Sequence, residues 1–129
     1  MRIFDMHIHA DGSRPDPKKL LDRMAQAGIF GGVIFSVRPQ EALGQVRAPY
    51  EQRLEDVLRW TEGYEGRLFP VLWIHPFEPD ALQIAEDAAA QGIAGFKMIC
   101  DTYSVQQPEA VQLLRKIAAP RKPVFFHSG

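Results

Sequence analysis

The sequence predicts an α/β fold, and three observations support that prediction. Five apolar stretches alternate with four segments of helical periodicity along the chain. The stretches recur about every 30 residues, which is the spacing of βαβ units in a parallel sheet. The stretches after the first are also nearly continuous in their apolar character, as strands covered on both faces are.

The first predicted strand, residues 2–9, has two faces of different chemistry. Residues two apart in a strand point to the same side. One face therefore carries four residues of mixed character: Ile3, Asp5, His7 and His9. The other face is wholly apolar and is predicted to be buried: Phe4, Met6 and Ile8.

The remaining elements follow in a regular order. A helix is predicted to begin after Asp16, which can cap it, and to end at Gly28. Another helix is predicted to begin at a capping box formed by Asp80 and Gln83. A polar connection over 37–49 has no clear period, and connections of that length are often functional. The later strands are predicted at residues 32–36, 68–74, 93–99 and 122–127, and the later helices at 50–62, 80–91 and 108–119.

The order of elements leaves two architectures open. No helix follows the last strand, so the first and fifth strands would both be exposed apolar edges. The sheet is either an open doubly wound one or about five-eighths of a (β/α)8 barrel, which typically has ~250 residues. All four histidines fall at or near the ends of strands. We therefore favour the TIM barrel, with residues 1–129 as a single domain that supplies about (βα)4β5.

Composition and charge limit the classes of partner that the protein is expected to bind. The formal net charge is -1 and there is no basic run, which argues against a nucleic acid or a membrane surface as the partner. The single cysteine, Cys100, excludes an intrachain disulfide. No signal peptide or membrane span is evident, so we expect a cytoplasmic protein that binds a small molecule. A homo-oligomer remains possible, because a two-fold pair could cover the open edges.

The histidines predict a metal site at the carboxyl ends of the strands, where parallel α/β folds place their active sites. Strands one and five oppose each other in an eight-stranded barrel, so His127 would face His7 and His9. Such imidazoles favour zinc, with manganese or iron as alternatives. Asp5, two residues before His7, is predicted to orient a liganding imidazole.

Other polar residues at these ends have less specific interpretations. His75 and Lys97 are predicted to contact substrate or stabilise an oxyanion, although Lys97 could equally form a structural ion pair. Trp73 is interpreted as core or pocket wall. Arg38 and Arg47, in the polar connection, are interpreted as solvated surface.

At this point a family resemblance adds to the prediction. The stretch over residues 4–10, FDMHIHA, resembles the strand-one signature of the amidohydrolase superfamily of metal-dependent hydrolases. The stretches over 95–98 and 123–129 are similar to its amidohydrolase-2 branch, which also holds decarboxylases. The resemblance implies that the His-x-His pair and the strand-five histidine bind the metal. It also implies a further histidine after strand six and an aspartate after strand eight, beyond this chain.

The resemblance implies a metal-dependent hydrolase in which a metal-activated water attacks a C–N or C–O bond of a small molecule. The residues 1–129 alone are then expected to be inactive. Three alternatives stay open: a non-oxidative decarboxylase of the same branch, a metal-dependent phosphoesterase or nuclease, and a non-enzymatic α/β module. The second remains because other metal-dependent barrels also begin with His-x-His.

Overall fold

The computed structural model describes residues 1–10, 14–39 and 49–127. Its five strands and four helices alternate along the chain as β1 (Phe4–His9), α1 (Pro17–Gln26), β2 (Gly31–Phe35), α2 (Tyr50–Arg59), β3 (Leu68–Trp73), α3 (Ala81–Ala90), β4 (Gly95–Ile99), α4 (Pro108–Ala118) and β5 (Val124–His127). All neighbouring strands are parallel, in the order β1-β2-β3-β4-β5. A doubly wound sheet would reverse its strand order partway across. The sequential order therefore confirms the predicted α/β half-barrel.

The sheet separates two apolar layers. The larger core lies between the sheet and the helices, and its strand residues include Ile34, Leu72, Phe96 and Met98. The opposite face, which a closed barrel would enclose, carries a smaller cluster: Val33, Phe35 and Val71, with Phe69 and Phe125 packed against it. The alternation of successive residues between the two layers follows from the period of a strand. Among the described residues no helix is long and apolar enough to cross a membrane.

Strand β1 departs from the strict alternation that the sequence predicted. Its register against β2 pairs Asp5 with Gly32 but Ile8 with Ile34, so three steps along β1 correspond to two along β2. This is a bulge, which inserts one residue and redirects the side chains around it. Met6 is 54% exposed, so the prediction that it is buried is wrong. The apolar pattern of the sequence does not show the bulge, because a bulge depends on the register against the neighbouring strand.

The two predicted helix caps have different outcomes. Asp16 accepts a hydrogen bond from the backbone N–H of Lys19 at 2.9 Å, which confirms it as the N-cap of α1. Asp80 precedes α3 in a left-handed conformation, with φ of 59°, and makes no side-chain cap hydrogen bond. Gln83 instead donates to Asp87 at 2.8 Å. The predicted capping box is therefore wrong, because the chain enters α3 through a tight turn rather than an extended residue.

The edges of the sheet are β1 and β5, as predicted. Exposed apolar side chains lie on or beside both edges: Ile3, Met6 and Phe126. The central strands, in contrast, are almost fully buried. Most of the polar connection over 37–49, including Arg47, lies outside the described residues, so its predicted role stays a prediction.

Candidate active site

The predicted site residues lie toward the carboxyl end of the sheet. His7 and His9 belong to β1, Lys97 to β4 and His127 to the end of β5, whereas His75 follows β3 by two residues. A cavity of about 310 Å³ joins the three strands that bear His7, His9, Lys97 and His127. It is lined by Met6, His7, Phe35, Lys97, Phe125, Phe126 and His127. The structure thus brings β1, β4 and β5 to one cavity, as the barrel prediction requires.

His7, His9 and Lys97 form a close polar group. The Nε2 atoms of His7 and His9 are 2.9 Å apart. The Nζ atom of Lys97 lies 3.1 Å from His7 Nε2. The ammonium of Lys97 can only donate, so His7 Nε2 must accept and carry the lone pair. His9 Nε2 lies within hydrogen-bond distance of the same atom, so both neighbours converge on one imidazole nitrogen.

Burial and positive charge lower the pKa of both imidazoles. Burial, followed by the charge of Lys97, lowers the pKa of His7 below its usual value. The pKa of His9 is lowered by the same two causes in the same order, with further contributions from His7 and His127. A metal ion binds the neutral form of histidine. Both shifts favour the neutral form of the two side chains.

Lys97 is a buried cation supported mainly by aromatic rings. Its residue exposure is 2%, and burial lowers its pKa. Its Nζ atom lies 4.3 Å from the ring centre of Phe35 and 5.0 Å from that of Trp73. Such cation–π contacts partly replace lost hydration. No salt bridge joins Lys97 to a carboxylate in the part of the chain that the structure describes, so a structural ion pair is not found there.

Two of the three predicted metal ligands, His7 and His9, lie side by side in this structure. Two nitrogens bound to one zinc ion at a tetrahedral angle lie roughly 3.3 Å apart, close to the separation of the two Nε2 atoms. The donors of His7 and His9 therefore fit a zinc ion in kind and in spacing. Within residues 1–10, 14–39 and 49–127, however, no three His, Cys, Asp or Glu side chains are arranged to hold a metal. The role of His127 as a third ligand stays a prediction.

Asp5 supports His7 through the backbone. Its Oδ1 atom accepts the backbone N–H of His7 at 2.9 Å, and its charge raises the pKa of that imidazole against the larger lowering effects. This hydrogen bond holds the chain at the bulge of β1. The predicted orientation of a liganding imidazole by Asp5 stays a prediction.

His75 belongs to a different cluster of contacts. Its Nδ1 atom accepts the backbone N–H of Phe77 at 3.3 Å, and its Nε2 atom lies 3.2 Å from Thr102 Oγ1. The ring of Tyr103 packs edge-on at 4.9 Å. These contacts connect the loop after β3 with the loop after β4. They fix the ring of His75, and its predicted contact with substrate stays a prediction.

A buried ion pair holds the end of β3, and the sequence reasoning missed it. Arg53 of α2 is 1% exposed, donates to the backbone carbonyl of Trp73 at 2.6 Å and pairs with Glu78. Glu78 in turn accepts the backbone N–H of His75 at 3.2 Å. One signal was available: Arg53 lies four residues before Val57, on the buried stripe of its helix.

The interpretation of Arg38 as solvated surface is wrong, because its side chain is mostly buried. Its side chain is 18% exposed and its Nη2 atom lies 2.5 Å from Asp101. Its guanidinium carbon is 5.4 Å from the ring centre of Trp73. Burial by itself would raise the pKa of Asp101, but the hydrogen bond and charge of Arg38 outweigh it and the pKa lies below its usual value.

Trp73 is the shared wall of the site, in agreement with its interpretation as core or pocket wall. Its residue exposure is 8%. Besides Arg38 and Lys97, its ring contacts the ring of His9, with centroids 5.9 Å apart. One indole therefore links the ends of β1, β2 and β4.

Comparisons with known proteins are consistent with this fold. The structure is similar to that of a probable 2-pyrone-4,6-dicarboxylic acid hydrolase from Acinetobacter baumannii with citric acid bound, with a TM-score of 0.64 and 16% identity over 99% of this chain and 50% of that chain. It is also similar to a dihydrodipicolinate synthase from Agrobacterium tumefaciens, with a TM-score of 0.55 and 18% identity over 97% of this chain and 43% of that chain. Both neighbours are TIM-barrel enzymes.

The sequence comparisons are less specific. No family model matches the chain. A ferrochelatase from Synechococcus elongatus is 27% identical over 105 residues, which cover 71% of this chain and 26% of that protein. The chain thus spans about half the length of the hydrolase that it resembles and about a quarter of the ferrochelatase. What the comparisons define is a class: the chain has the fold of TIM-barrel enzymes, one of which is a hydrolase.

Proposed function

We propose that the chain is the N-terminal part of a metal-dependent hydrolase of the amidohydrolase superfamily. The observation that carries the proposal is the convergence of two imidazoles, 2.9 Å apart at Nε2, at the carboxyl end of a barrel sheet. His7 and His9 hold the metal, and His127, on the same cavity, is the third ligand from this chain. Zinc suits this donor set best, and manganese or iron are alternatives.

A metal held there would acidify a water molecule and polarise the substrate bond that is cleaved. Lys97 sits beside this position and supplies a positive charge for an oxygen that becomes negative during the reaction. Trp73 and Phe35 exclude water from one side of the group, because they cover Lys97. His75 is the candidate for a substrate contact from the loop after β3.

The lysine and the metal compete in this arrangement. The ammonium of Lys97 donates to His7 Nε2, which is the atom that a metal would use. Metal binding therefore has to displace this hydrogen bond and bring a second positive charge close to the first. Lys97 therefore weakens metal binding in the resting protein.

Metal affinity is the most direct test. Zinc binding to the intact protein is measured by isothermal titration calorimetry, with the stoichiometry checked by elemental analysis. His7→Ala and His9→Ala should each weaken binding by at least about tenfold, because a ligand is at least as important as the groups that orient it. Lys97→Met should strengthen binding, because it removes the competing donor and its charge.

The matched control is His75→Asn, which removes an imidazole from the contacts with Thr102 and Tyr103. It should leave zinc affinity unchanged. Zinc binding that survives the double variant His7→Ala, His9→Ala at full affinity would contradict the proposal.

Turnover identifies the reaction. The first substrates to assay with the metal-loaded intact protein are cyclic esters that carry carboxylates, the class on which the structural neighbour is named to act. Ring opening without gas release indicates hydrolysis, whereas release of CO2 indicates the alternative decarboxylase. Activity that persists without metal and in the His7→Ala variant would contradict both.

A further inference from the structure

We propose that Arg38 is the residue that binds a carboxylate of the substrate, and that Asp101 occupies its guanidinium when no substrate is present. The inference deepens the proposed function, on which it rests for the reaction, because it names the substrate class as carboxylate-bearing anions. Binding of the anion itself needs no metal. The two proposals can therefore fail separately.

The guanidinium of Arg38 has donors to spare. An arginine carries five N–H groups in a planar fork that matches a carboxylate. Asp101 accepts from Nη2. In the part of the chain that the structure describes, Nε is buried and has no hydrogen-bond partner, so an incoming carboxylate would be bound by the terminal N–H groups. The side chain keeps 18% exposure. The fork is thus held in one orientation but is not saturated.

Trp73 places this fork at the site rather than on the outer surface. The guanidinium carbon lies 5.4 Å from the indole centre, and the same ring contacts Lys97 and His9. A carboxylate bound by Arg38 would therefore lie beside the same indole as the group proposed to hold the metal. Substrate held at both points would have its reacting bond oriented between them.

Charge around the indole favours an anion. Two cations, Arg38 and Lys97, lie against Trp73. Among the described residues one carboxylate, that of Asp101, lies within salt-bridge distance of Arg38, and none lies within that distance of Lys97. A surplus of one charge attracts ligands of the opposite charge. The buried position of Lys97 strengthens this attraction, because fewer water molecules screen its charge.

The pair of Arg38 and Asp101 is easily exchanged. The side chain of Asp101 is 41% exposed, so its carboxylate is hydrated when it leaves the guanidinium. Ion pairs with such exposure contribute little net stability. An incoming carboxylate can therefore replace Asp101 at low cost. The pair of Arg53 and Glu78 is different, because its side chains are only 1% and 10% exposed.

The test uses the metal-free intact protein with tricarballylate, a small tricarboxylate, as the probe. In a Trp60→Phe background Trp73 is the remaining tryptophan of residues 1–129, and a Trp73→Phe variant of the same protein identifies the emission change that comes from it. The uncharged trimethyl ester of tricarballylate is the matched control ligand. We expect tricarballylate, and not the ester, to change the emission in a saturable way.

Variants of Arg38 and of Asp101 distinguish substrate binding from a structural clamp, in which the ion pair only holds the two loops together. Arg38→Met should weaken tricarballylate binding at least tenfold, because the fork is lost. Asp101→Asn should tighten binding several-fold, because the competing carboxylate is lost. A structural clamp predicts that both variants weaken binding together, and that result would overturn the proposal. Equal affinity for the acid and its ester would overturn it as well. Circular dichroism and the unfolding midpoint of each variant confirm that the fold is retained.

Outcomes for the two proposals are distinguishable. If zinc binding does not depend on His7 and His9 but tricarballylate binding follows the pattern above, the hydrolase proposal fails and the anion site stands. If zinc binds as proposed and the two variants of the pair act in the same direction, only the anion site fails.

Discussion

The central strands and the edge strands of the sheet hold their polar residues in different ways. At the centre, Trp73, His75 and Lys97 are each less than 9% exposed. At the edges, His7, His9 and His127 are exposed. The two groups lie at the same end of the sheet. Packing therefore holds the site residues of the central strands in place, whereas the site residues of the edge strands are not held by packing.

The difference follows from the number of neighbours. A central strand has a hydrogen-bonded strand on both sides and helices on one face, so its side chains have few open directions. An edge strand has one such neighbour, and its outer side needs another surface to cover it. Positions on edge strands are therefore the ones most sensitive to whatever packs against β1 and β5. Substitutions in the central part of the sheet and at its edges test this comparison.

The largest expected effect is at the buried ion pair of the centre. Arg53→Met removes the buried cation that pairs with Glu78, whose side chain is 10% exposed, beside the loop that carries His75. Breaking a buried pair in this way typically costs about 3–5 kcal/mol of stability. Urea denaturation measures the free energy of unfolding.

The matched control is Arg59→Met, on the same helix and also paired with a glutamate, Glu55, but exposed. It should change stability by less than about 0.5 kcal/mol. Similar losses for both variants would show that burial does not distinguish these two pairs.

The second prediction compares two phenylalanines on neighbouring strands. Phe96 of β4 is 0% exposed, and Phe126 of β5 is 50% exposed. Phe96→Ala should cost about 3–5 kcal/mol, because it opens a cavity in the core. Phe126→Ala should cost about 1 kcal/mol, because its half-exposed ring has less apolar surface to lose. If both cost the same in chemical denaturation, the edge at β5 is covered in solution.

The third and smallest effect is a pH dependence from the edge histidines. Burial and the charge of Lys97 lower the pKa of His7 and His9 below the usual 6.5. In the window from about 6.5 down to the folded pKa values, the unfolded state binds more protons, so stability rises with pH. The free energy of unfolding of the metal-free protein should therefore fall as pH drops through this window.

The double variant His7→Asn, His9→Asn should flatten that slope, as followed by urea denaturation at several pH values. His75→Asn, which leaves both edge imidazoles in place, is the control. An unchanged slope in the double variant would show that groups other than His7 and His9 cause the pH dependence of stability.

Local patterns in the sequence predicted much of the fold and the position of the candidate site. The alternation of strands and helices, the cap at Asp16 and the position of every histidine near a strand end all depend on residues close together in the chain. Periodicity and capping operate over a few residues, so the sequence displays them directly. The bulge in β1 broke one local prediction, because a bulge depends on the register against β2.

By itself the sequence determined that this is a parallel α/β chain whose imidazoles gather at the carboxyl end of its sheet. Only the tertiary structure decided which side chains meet there. Lys97 and His7 are 90 residues apart, and Arg38 and Asp101 are 63 apart. Such pairs depend on how strands align and on where each side chain is directed, and neither is written in the spacing of residues along the chain.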